Sequence, residues 1–262
     1  SMANTIKEYF LQGYQLNQSN FTTGFNDLDI FIKNIQHGSI ITIGGRPAMG
    51  KTEFALSIVN HLLSINKKVS YFNLDTSTKI LTNRLIANKT NLHINDIKNK
   101  KTDLQNLQND LDFYNDKQLN IINKLNLSVE DMEKTIKKEL PEIVIIDYIQ
   151  LLKNTNCDLD IIQEIKRVAI ENNLIVIILS QISRRVEHRN DHRPMLSDIK
   201  SFNSLEELSD VVLMLYRENY YNSDEDANPC AEIIIRKNNF GDVGIINLNY
   251  INGHFINIWP IL

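Results

Sequence analysis

The sequence predicts an α/β fold, a mainly parallel twisted sheet flanked by helices, with antiparallel hairpins at its C-terminal end. Short runs rich in Ile and Val alternate along the chain with segments whose apolar residues recur at helical spacing. These runs are almost continuously apolar, as expected for parallel strands that are buried on both faces. The C-terminal part instead contains β-branched runs separated by turns at 239–241 and 252–253, which is typical of hairpins.

The first half of the chain contains two predicted strands and one long helix. A turn and a short amphipathic segment at 23–29 precede a β-branched strand at 39–43. Apolar residues at helical spacing predict a helix over 51–65, and the next strand is expected at 69–74. The Asn- and Lys-rich stretch 78–117 has helical hints and little strand character, so we expect short helices there on the outside of the domain.

The second half continues the alternation of helices and strands. Ser128 and Asp131 form a capping-box pattern that opens a helix ending near Leu140, before Pro141. A further helix is expected at 161–171. Apolar runs predict the remaining strands at 143–146, 175–179, 211–215, 231–236, 243–250 and 255–259.

The composition excludes several classes of protein. Hydrophobic residues make up 42% and charged residues 23% of the 262 positions, which is ordinary for a globular chain with a sizeable core. No apolar run approaches the roughly 18 to 20 residues that span a bilayer, so no membrane association is expected. The net charge of −4 disfavours nucleic-acid binding over the whole surface but leaves local basic loops open. Residues 1–37 are interpreted as a leader with a tag remnant, and 38–262 as one domain.

The cysteines and histidines form no recognisable metal pattern. Cys157 and Cys230 are far apart, so we expect two free thiols in a reducing cytoplasm. His188 and His192 are four residues apart, but no zinc-binding pattern continues from them.

A phosphate-binding loop is the strongest functional motif. Residues 45–52 match G-x-x-x-x-G-K-[ST] and lie between a predicted strand and a predicted helix, as the motif requires. Backbone N–H groups at the helix N-terminus surround phosphate oxygens, Lys51 supplies charge to the β- and γ-phosphates, and Thr52 supplies a hydroxyl to Mg²⁺. The predicted ATP-binding residues are Gly45, Arg46, Pro47, Ala48, Met49, Gly50, Lys51, Thr52, Glu53 and Asp147.

Two later strands end in polar residues that suit the same ligand. The run 143–146 ends at Asp147, a strand-end acid of the kind that holds magnesium, so Thr52 and Asp147 are the predicted metal ligands. The strand at 175–179 leads to Gln181, which would face the γ-phosphate or the attacking water from the carboxyl end of a parallel strand. The alternative for Gln181 is an amide that bonds only to a neighbouring loop.

Several motifs occur in a fixed order along the chain. They are TGFNDLD at 23–29, the loop 45–52, DYIQL at 147–151, SQISR at 180–184 and RPMLSDI at 193–199. Over residues 20–262 they resemble the helicase domain of bacterial replicative helicases, the DnaB family. The resemblance implies a RecA-like P-loop NTPase core that assembles into a ring, normally a hexamer, around single-stranded DNA. ATP would sit between subunits and drive translocation in DNA replication, with 5′ to 3′ polarity implied by resemblance alone. In full-length members an N-terminal domain contacts primase, and we expect this sequence to be either a truncated form without that domain or a naturally short relative. Primase or a helicase loader is the partner that the resemblance implies for the N-terminal region.

The sequence departs from the family pattern at positions that matter for hydrolysis. Where the family has a catalytic Glu after the second strand, this chain has Asp75, a shorter carboxylate. The family also places Lys and Arg two residues apart to reach the neighbouring subunit's ATP. Lys237 keeps the Lys, whereas Asn239 stands at the Arg position, and Arg236 is a weak substitute because it points to the opposite strand face. The predicted catalytic residues are Lys51, Asp75, Gln181 and Lys237.

The predicted DNA contacts are altered as well. The family's Arg-Glu-Ser-Gly is replaced at 200–203, where Lys200 keeps a positive charge and Phe202 is either a ring that stacks on a base or a packed loop aromatic. Arg184 and Arg185 belong to a basic cluster that suits DNA or a neighbouring subunit, or is a solvated charged loop. The cluster comprises Arg184, Arg185, Arg189 and Arg193.

Two functions stay open on these observations. The first is an ATP-dependent DNA helicase motor, and the second is a divergent ATP-binding regulator or ring partner with weak or no hydrolysis. Lys51, Thr52, Asp147 and Gln181 are all present, so the motor is the preferred prediction, whereas the departures at Asp75, Asn239 and 200–203 point towards the second function. A RecA-type recombinase is disfavoured by the DnaB-like motifs, and a small-molecule kinase by the lack of a segment for an acceptor-binding lid.

Overall fold

The computed structural model describes residue 6 and residues 19–99, 104–154, 160–199, 203–221 and 229–258. The strands of these ranges are β1 Ile40–Gly45, β2 Val69–Asn73, β3 Leu119–Asn123, β4 Ile143–Asp147, β5 Ile175–Gln181, β6 Val211–Arg217, β7 Cys230–Asn238, β8 Gly244–Ile251 and β9 His254–Asn257. The helices are α1 Asn26–Phe31, α2 Lys51–Ser64, α3 Thr78–Thr90, α4 Ile94–Lys98, α5 Leu104–Asp112, α6 Val129–Glu139, α7 Ile161–Glu171 and α8 Asn203–Leu208.

The strands form one sheet that is parallel in its core and antiparallel at one edge. Its order is β3-β2-β4-β5-β1-β6-β7-β8-β9. Ile43 of β1 pairs in parallel register with Leu179 of β5 and Leu213 of β6, whereas β7, β8 and β9 add on as antiparallel pairs. This arrangement confirms the predicted fold class.

Helices cover both faces of the parallel strands, because successive strand residues point to opposite faces. On β4, Ile143 and Ile145 pack in the hydrophobic cluster that contains α1, α2 and α3, whereas Val144 and Ile146 pack in the cluster that contains α6, α7 and α8. At the carboxyl ends of the strands, Gly45 lies beside Gln181 and Asn73 beside Asp147. The polar residues that follow these strands are therefore brought to one end of the sheet.

Most of the predicted elements are confirmed. The helix at 161–171 has the predicted limits, and the Ser128 hydroxyl accepts a hydrogen bond from the N–H of Asp131 at the start of α6. The sequence does not predict β3, because this strand lies at the sheet edge, pairs only with β2 within the described residues, and is partly exposed without a strong apolar pattern. Cys230 is a free thiol on β7, and Cys157 lies outside the described residues.

None of the helices in the described ranges has both the length and the apolar character that a membrane crossing requires.

Candidate nucleotide-binding site

The phosphate-binding loop lies between β1 and α2, as its motif predicts. Its last glycine, Gly50, has a left-handed backbone with φ of 101° and forms the N-cap of α2. A Cβ atom at Gly50 would come within 2.9 Å of the Phe255 ring, so both the conformation and the available space require glycine. The loop leads into the N-terminus of a 14-residue helix, whose positive end favours phosphate.

Lys51 is held inside this loop. Its Nζ donates hydrogen bonds to the carbonyl oxygens of Gly45 at 2.9 Å and Arg46 at 3.0 Å. Burial lowers the pKa of Lys51 to about 8, and the negative charge of Asp147 acts in the opposite direction. A buried ammonium group whose hydrogen-bond acceptors are neutral carbonyl oxygens favours an anionic ligand. This is consistent with the predicted contact between Lys51 and phosphate.

Thr52 and Asp147 are in contact at the end of β4. The Thr52 hydroxyl donates to Oδ2 of Asp147 at 2.9 Å, and the Tyr71 hydroxyl donates to the same oxygen at 2.7 Å. Asp147 is buried, and burial raises its pKa, although these two hydrogen bonds and the charge of Lys51 counteract the rise. The described residues contain no group of three or more His, Cys, Asp or Glu side chains that could hold a metal ion by itself. One carboxylate beside one hydroxyl nevertheless fits Mg²⁺, which proteins hold with few side chains when phosphates complete its shell.

The loop opens into a cavity of about 410 Å³ at the carboxyl ends of the parallel strands. Nine predicted residues line it: Pro47, Ala48, Gly50, Lys51, Thr52, Glu53, Asp75, Asp147 and Gln181. Arg84, Tyr148 and Tyr250 also line the cavity, and the sequence pattern assigns no role to them. Tyr148 follows Asp147 directly, so its place next to the site could be read from the sequence, whereas Arg84 on α3 and Tyr250 on β8 reach the cavity only through the fold.

Asp75 follows β2 and Gln181 ends β5, the strands on either side of β4, and both residues line this cavity. Asp75 is exposed and comes shortly after β2, where a carboxylate can reach a ligand in the cavity. Gln150 fixes the end of β5, because its amide donates to the Ser180 hydroxyl at 3.0 Å and to the Gln181 carbonyl at 3.2 Å. Burial raises the pKa of Tyr148, and a side-chain hydrogen bond with Gln181 opposes that rise. The Gln181 amide therefore bonds locally and also lines the cavity.

Glu53 is a partly buried acid in the first turn of α2. Its Oε1 lies 3.5 Å from Nε of Arg84, and its Oε2 lies 3.9 Å from Nδ1 of His254. Neither Oε2 of Glu53 nor Nδ1 of His254 has a hydrogen-bond partner among the described residues. Burial raises the pKa of Glu53 to about 7, with the Arg84 charge acting in the opposite direction. Ionisation of Glu53 is therefore unfavourable in the folded protein.

Two side chains of the loop motif point away from the cavity. Met49 is buried in the hydrophobic core with the residues of α2. The guanidinium of Arg46 is bound to Glu187 and to the carbonyl oxygen of Ile182. Neither side chain therefore supplies the phosphate contact that the motif predicts, and the N–H of Met49 donates to the carbonyl oxygen of Arg46 at 3.2 Å within the loop.

Arg217 supports the loop from β6, a role that no sequence motif signals. Its Nη2 donates to the carbonyl oxygen of Ala48 at 2.8 Å, and its guanidinium carbon lies 3.9 Å from the centre of the Tyr250 ring. Ala48 has a positive φ of 60°, so this bond holds a loop residue in an uncommon conformation. Arg217 thereby links the loop to the aromatic wall of the cavity.

The residues predicted to act on a neighbouring subunit lie outside this cavity. Nζ of Lys237 donates to two main-chain carbonyl oxygens near the end of α8, at 3.0 and 2.8 Å. The Asn239 amide bonds to Asp210 at 3.2 Å, and Nε of Arg236 donates to the carbonyl oxygen of Pro194 at 2.8 Å. Arg236 and Lys237 thus have partners on different elements, as the alternation of strand side chains predicts.

Two of the four arginines in the predicted basic cluster are neutralised by ion pairs within the described residues. Arg189 and Arg193 form ion pairs with carboxylates of the same chain. Arg184 and Arg185 are exposed in a 3-10 turn, Arg184–His188, and form no ion pair within the described residues. The other predicted DNA contacts, Lys200 and Phe202, lie outside the described residues.

P-loop nucleoside triphosphatases hold nucleotide with three parts that are all present in this cavity. These are a glycine loop that enters a helix, a lysine inside that loop, and a strand-end acid bonded to the loop threonine. The surrounding sheet is that of a RecA-like ATPase domain. The chain belongs to the DnaB-like helicase C-terminal domain family, whose model matches residues 20–256. The family resemblance seen in the motifs is confirmed.

Individual relatives agree with this assignment. The chain is 32% identical to the replicative DNA helicase DnaB of Geobacillus stearothermophilus, over 90% of this chain and 56% of that protein. It is 34% identical to a probable replicative DNA helicase of Trieres chinensis, over 87% of this chain and 55% of that protein. The chain therefore spans about half the length of the curated relatives it matches.

Solved structures give the same result. One of them, described as an ATPase domain, has a TM-score of 0.85 and 29% identity, with 98% of both chains covered. A DnaB-like replicative helicase, described with its interactions with primase, has a TM-score of 0.84 and 30% identity, covering 98% of this chain and 66% of that one.

Proposed function

We propose that this chain is the ATP-hydrolysing motor domain of a replicative DNA helicase that moves along single-stranded DNA. The observation that supports this most strongly is the 2.9 Å contact between Thr52 and Asp147, on the wall of a cavity that also contains Lys51, Asp75 and Gln181. Lys51 and Thr52 come from the first turn of α2, Asp147 and Gln181 from the ends of β4 and β5, and Asp75 from the segment after β2. They supply a cation for the phosphates, two ligands for a metal ion and a carboxylate that can accept a proton from the attacking water.

The chemistry follows from their positions. A water oxygen attacks the γ-phosphorus, the bond to the bridging oxygen of ADP breaks, and the proton of the water passes to a carboxylate. Asp75 is the proposed acceptor of that proton, and Gln181 the proposed amide that orients the water. Lys51 balances charge on the β- and γ-phosphates. Thr52 and Asp147 would hold Mg²⁺, which when bound neutralises phosphate charge.

DNA binding and ring assembly are part of the same proposal. Arg184 and Arg185 supply exposed cations for DNA phosphates, and Lys200 and Phe202 are further proposed DNA contacts. Lys237 would leave the α8 carbonyls and reach ATP bound by the next subunit of a homo-oligomeric ring, which is hexameric by analogy with the family. In a protein of the relatives' full length, an N-terminal region would contact primase or a helicase loader in the cytoplasm.

One observation favours a second function, that of an ATP-binding regulator or ring partner. Asn239 stands where the family resemblance leads us to expect an arginine, and its amide is bonded to Asp210 within the same chain. A neutral amide cannot spread the negative charge of the transition state as an arginine does. Weak hydrolysis is the expected consequence if no other cation takes this place.

Steady-state ATP hydrolysis with and without single-stranded DNA separates the two functions. Lys51→Ala serves as the inactive control, because it removes the cation of the loop and changes no other residue. DNA-stimulated turnover that Lys51→Ala abolishes supports the motor. ATP binding without turnover above the inactive control, in a preparation that mass measurement shows to be a ring, supports the regulator. If the preparation is monomeric, the assay is repeated on a longer, ring-forming version.

A further inference from the structure

The guanidinium of Arg46 connects the phosphate-binding loop to the turn that follows β5. Its Nε and Nη2 lie 2.9 and 2.7 Å from Oε1 of Glu187, and its Nη1 donates to the carbonyl oxygen of Ile182 at 3.0 Å. The Arg46 side chain is only 10% exposed, whereas that of Glu187 is 39% exposed. A charged group buried to this extent needs such partners. The orientation of the Arg46 side chain is therefore set by its bonds to residues after β5 and not by the cavity.

The turn Arg184–His188 carries the two exposed arginines of the basic cluster. Val186 anchors it in the hydrophobic core, and the hydroxyl of Ser183 accepts a hydrogen bond from the N–H of Arg185. The N–H of Ser183 donates to the carbonyl oxygen of Asp198 at 2.8 Å. The fold of the turn therefore has supports besides the ion pair with Arg46.

Two routes join this turn to the nucleotide cavity. The first is the backbone, because Gln181 lines the cavity and the turn begins shortly after it. The second is the side-chain bond from Arg46, which lies within the loop that would surround the phosphates. The bond from Arg46 to Glu187 thus gives the loop a direct contact with the turn that does not pass through the core.

We propose that Arg46 is a positioning residue that couples nucleotide binding in the phosphate-binding loop to the Arg184–His188 turn through Glu187. The inference rests on the proposed function for its ligands, a nucleoside triphosphate in the cavity and DNA phosphates at Arg184 and Arg185. Because coupling between two binding sites is reciprocal, DNA on the turn must change nucleotide affinity by the same factor as nucleotide changes DNA affinity.

A structural ion pair alone would behave differently. A pair with one partner more than a third exposed contributes little to stability, and the turn keeps its anchors at Val186 and Ser183 without it. Removing the Glu187 carboxylate leaves Arg46 its bond to the Ile182 carbonyl oxygen, so folding and nucleotide affinity should persist while the side-chain link to the turn at Glu187 is lost. Coupling and stability can be separated on this basis.

The test compares Glu187→Ala with two matched variants by hydrogen–deuterium exchange. Glu187→Gln keeps an oxygen acceptor for Arg46, and Glu218→Ala removes an exposed carboxylate from another 3-10 turn, Glu218–Tyr220. Each protein is measured without ligand and with saturating AMPPNP and Mg²⁺, in the absence of DNA. In the unchanged protein we expect the analogue to slow exchange both in 45–52 and in 184–188. Glu187→Ala should keep the first effect and lose the second, Glu218→Ala should behave as the unchanged protein, and Glu187→Gln should regain most of the protection of the turn.

A fluorescence titration with a labelled single-stranded oligonucleotide gives the second readout. We expect the analogue to change DNA affinity at least about fivefold in the unchanged protein, the lower end of typical coupling, and less than about twofold in Glu187→Ala. Protection of the turn that persists in Glu187→Ala overturns the coupling role, as does a turn that the analogue never protects while it protects 45–52. If the analogue protects neither segment, the proposed ATP binding fails, and the coupling fails with it.

Discussion

The hydroxyl of Thr52 and the carboxylate of Asp147 are bonded at 2.9 Å although 95 positions separate them in the sequence. The contact joins the first turn of α2 to the end of β4, and it defines where a magnesium ion would be held. Because the same carboxylate oxygen accepts a bond from buried Tyr71, its orientation is fixed before any ligand arrives.

Replacing Asp147 should therefore stop hydrolysis. Asp147→Asn keeps the size of the side chain but removes the negative charge that a magnesium ion requires, so we expect kcat to fall at least about 100-fold. Tyr71→Phe is the control, because it removes the other hydrogen bond to Asp147 and leaves the carboxylate. A rate for Asp147→Asn within a few-fold of the unchanged protein would show that this acid is not the metal ligand.

Asp75 is expected to act on water and not on nucleotide binding. Asp75→Asn should lower kcat about 10² to 10⁴-fold, the range for a general base, and leave the affinity for a fluorescent ATP analogue nearly unchanged. Asp75→Glu restores the side-chain length of the family pattern and should keep or raise the rate. Equal losses of rate and affinity in Asp75→Asn would assign this carboxylate to binding.

Lys237→Ala should impair hydrolysis more than nucleotide binding, because Lys237 lies outside the cavity of its own chain. The sharpest measurement mixes subunits. A ring that combines Lys237→Ala with Lys51→Ala contains sites with an intact loop and an intact neighbouring Lys237, so part of the hydrolysis should return. Mixed rings that stay as inactive as either variant alone would place the role of Lys237 within its own subunit.

Glu53 should make the stability of the protein depend on pH. Its folded-state pKa of about 7 lies above the ordinary value of 4.5, so the stability that the protonated acid provides is present below 4.5 and is lost as the pH rises through about 7. Melting curves should show little difference between Glu53→Gln and the unchanged protein near pH 4.5, and a growing advantage of Glu53→Gln towards pH 8.

Glu133 offers a control for Glu53 with the opposite sign. Hydrogen bonds from Arg167 and Lys137 lower the pKa of Glu133 to about 2, so its contribution is present above 4.5 and is lost only in acid. Glu133→Gln should therefore lower the melting temperature at pH 5 to 8. A Glu53→Gln difference that does not change between pH 5 and pH 8 would contradict the burial of a titrating acid.

Arg184 and Arg185 should contribute to DNA affinity through phosphate charge. The double alanine variant is expected to reduce the slope of log K against log salt by up to about 2, with little change between DNA sequences. Lys138→Ala, at an exposed position on α6, is a control of the same charge type. An unchanged salt slope would remove the Arg184–His188 turn from the DNA-binding surface.

Local patterns were sufficient to predict much of the site. The loop 45–52 could be predicted because its glycines, lysine and threonine are consecutive, and Asp147 because an apolar strand leads directly to it. Arg84 and Tyr250, which line the cavity, and Arg217, which bonds to the loop, could not be predicted, since each comes from an element outside the loop motif. The strand β3 escaped prediction for a related reason: at a sheet edge, a strand needs no continuous apolar run.

The sequence by itself determined the class of fold, the phosphate-binding loop, the strand-end acid and the family, because each depends on residues that are close together or in a fixed order. The tertiary structure alone decided where side chains point. Arg46 belongs to the loop motif, yet its guanidinium turns away from the cavity because Glu187, 141 positions later, holds it there. Direction depends on partners that folding brings together, and no local pattern records them.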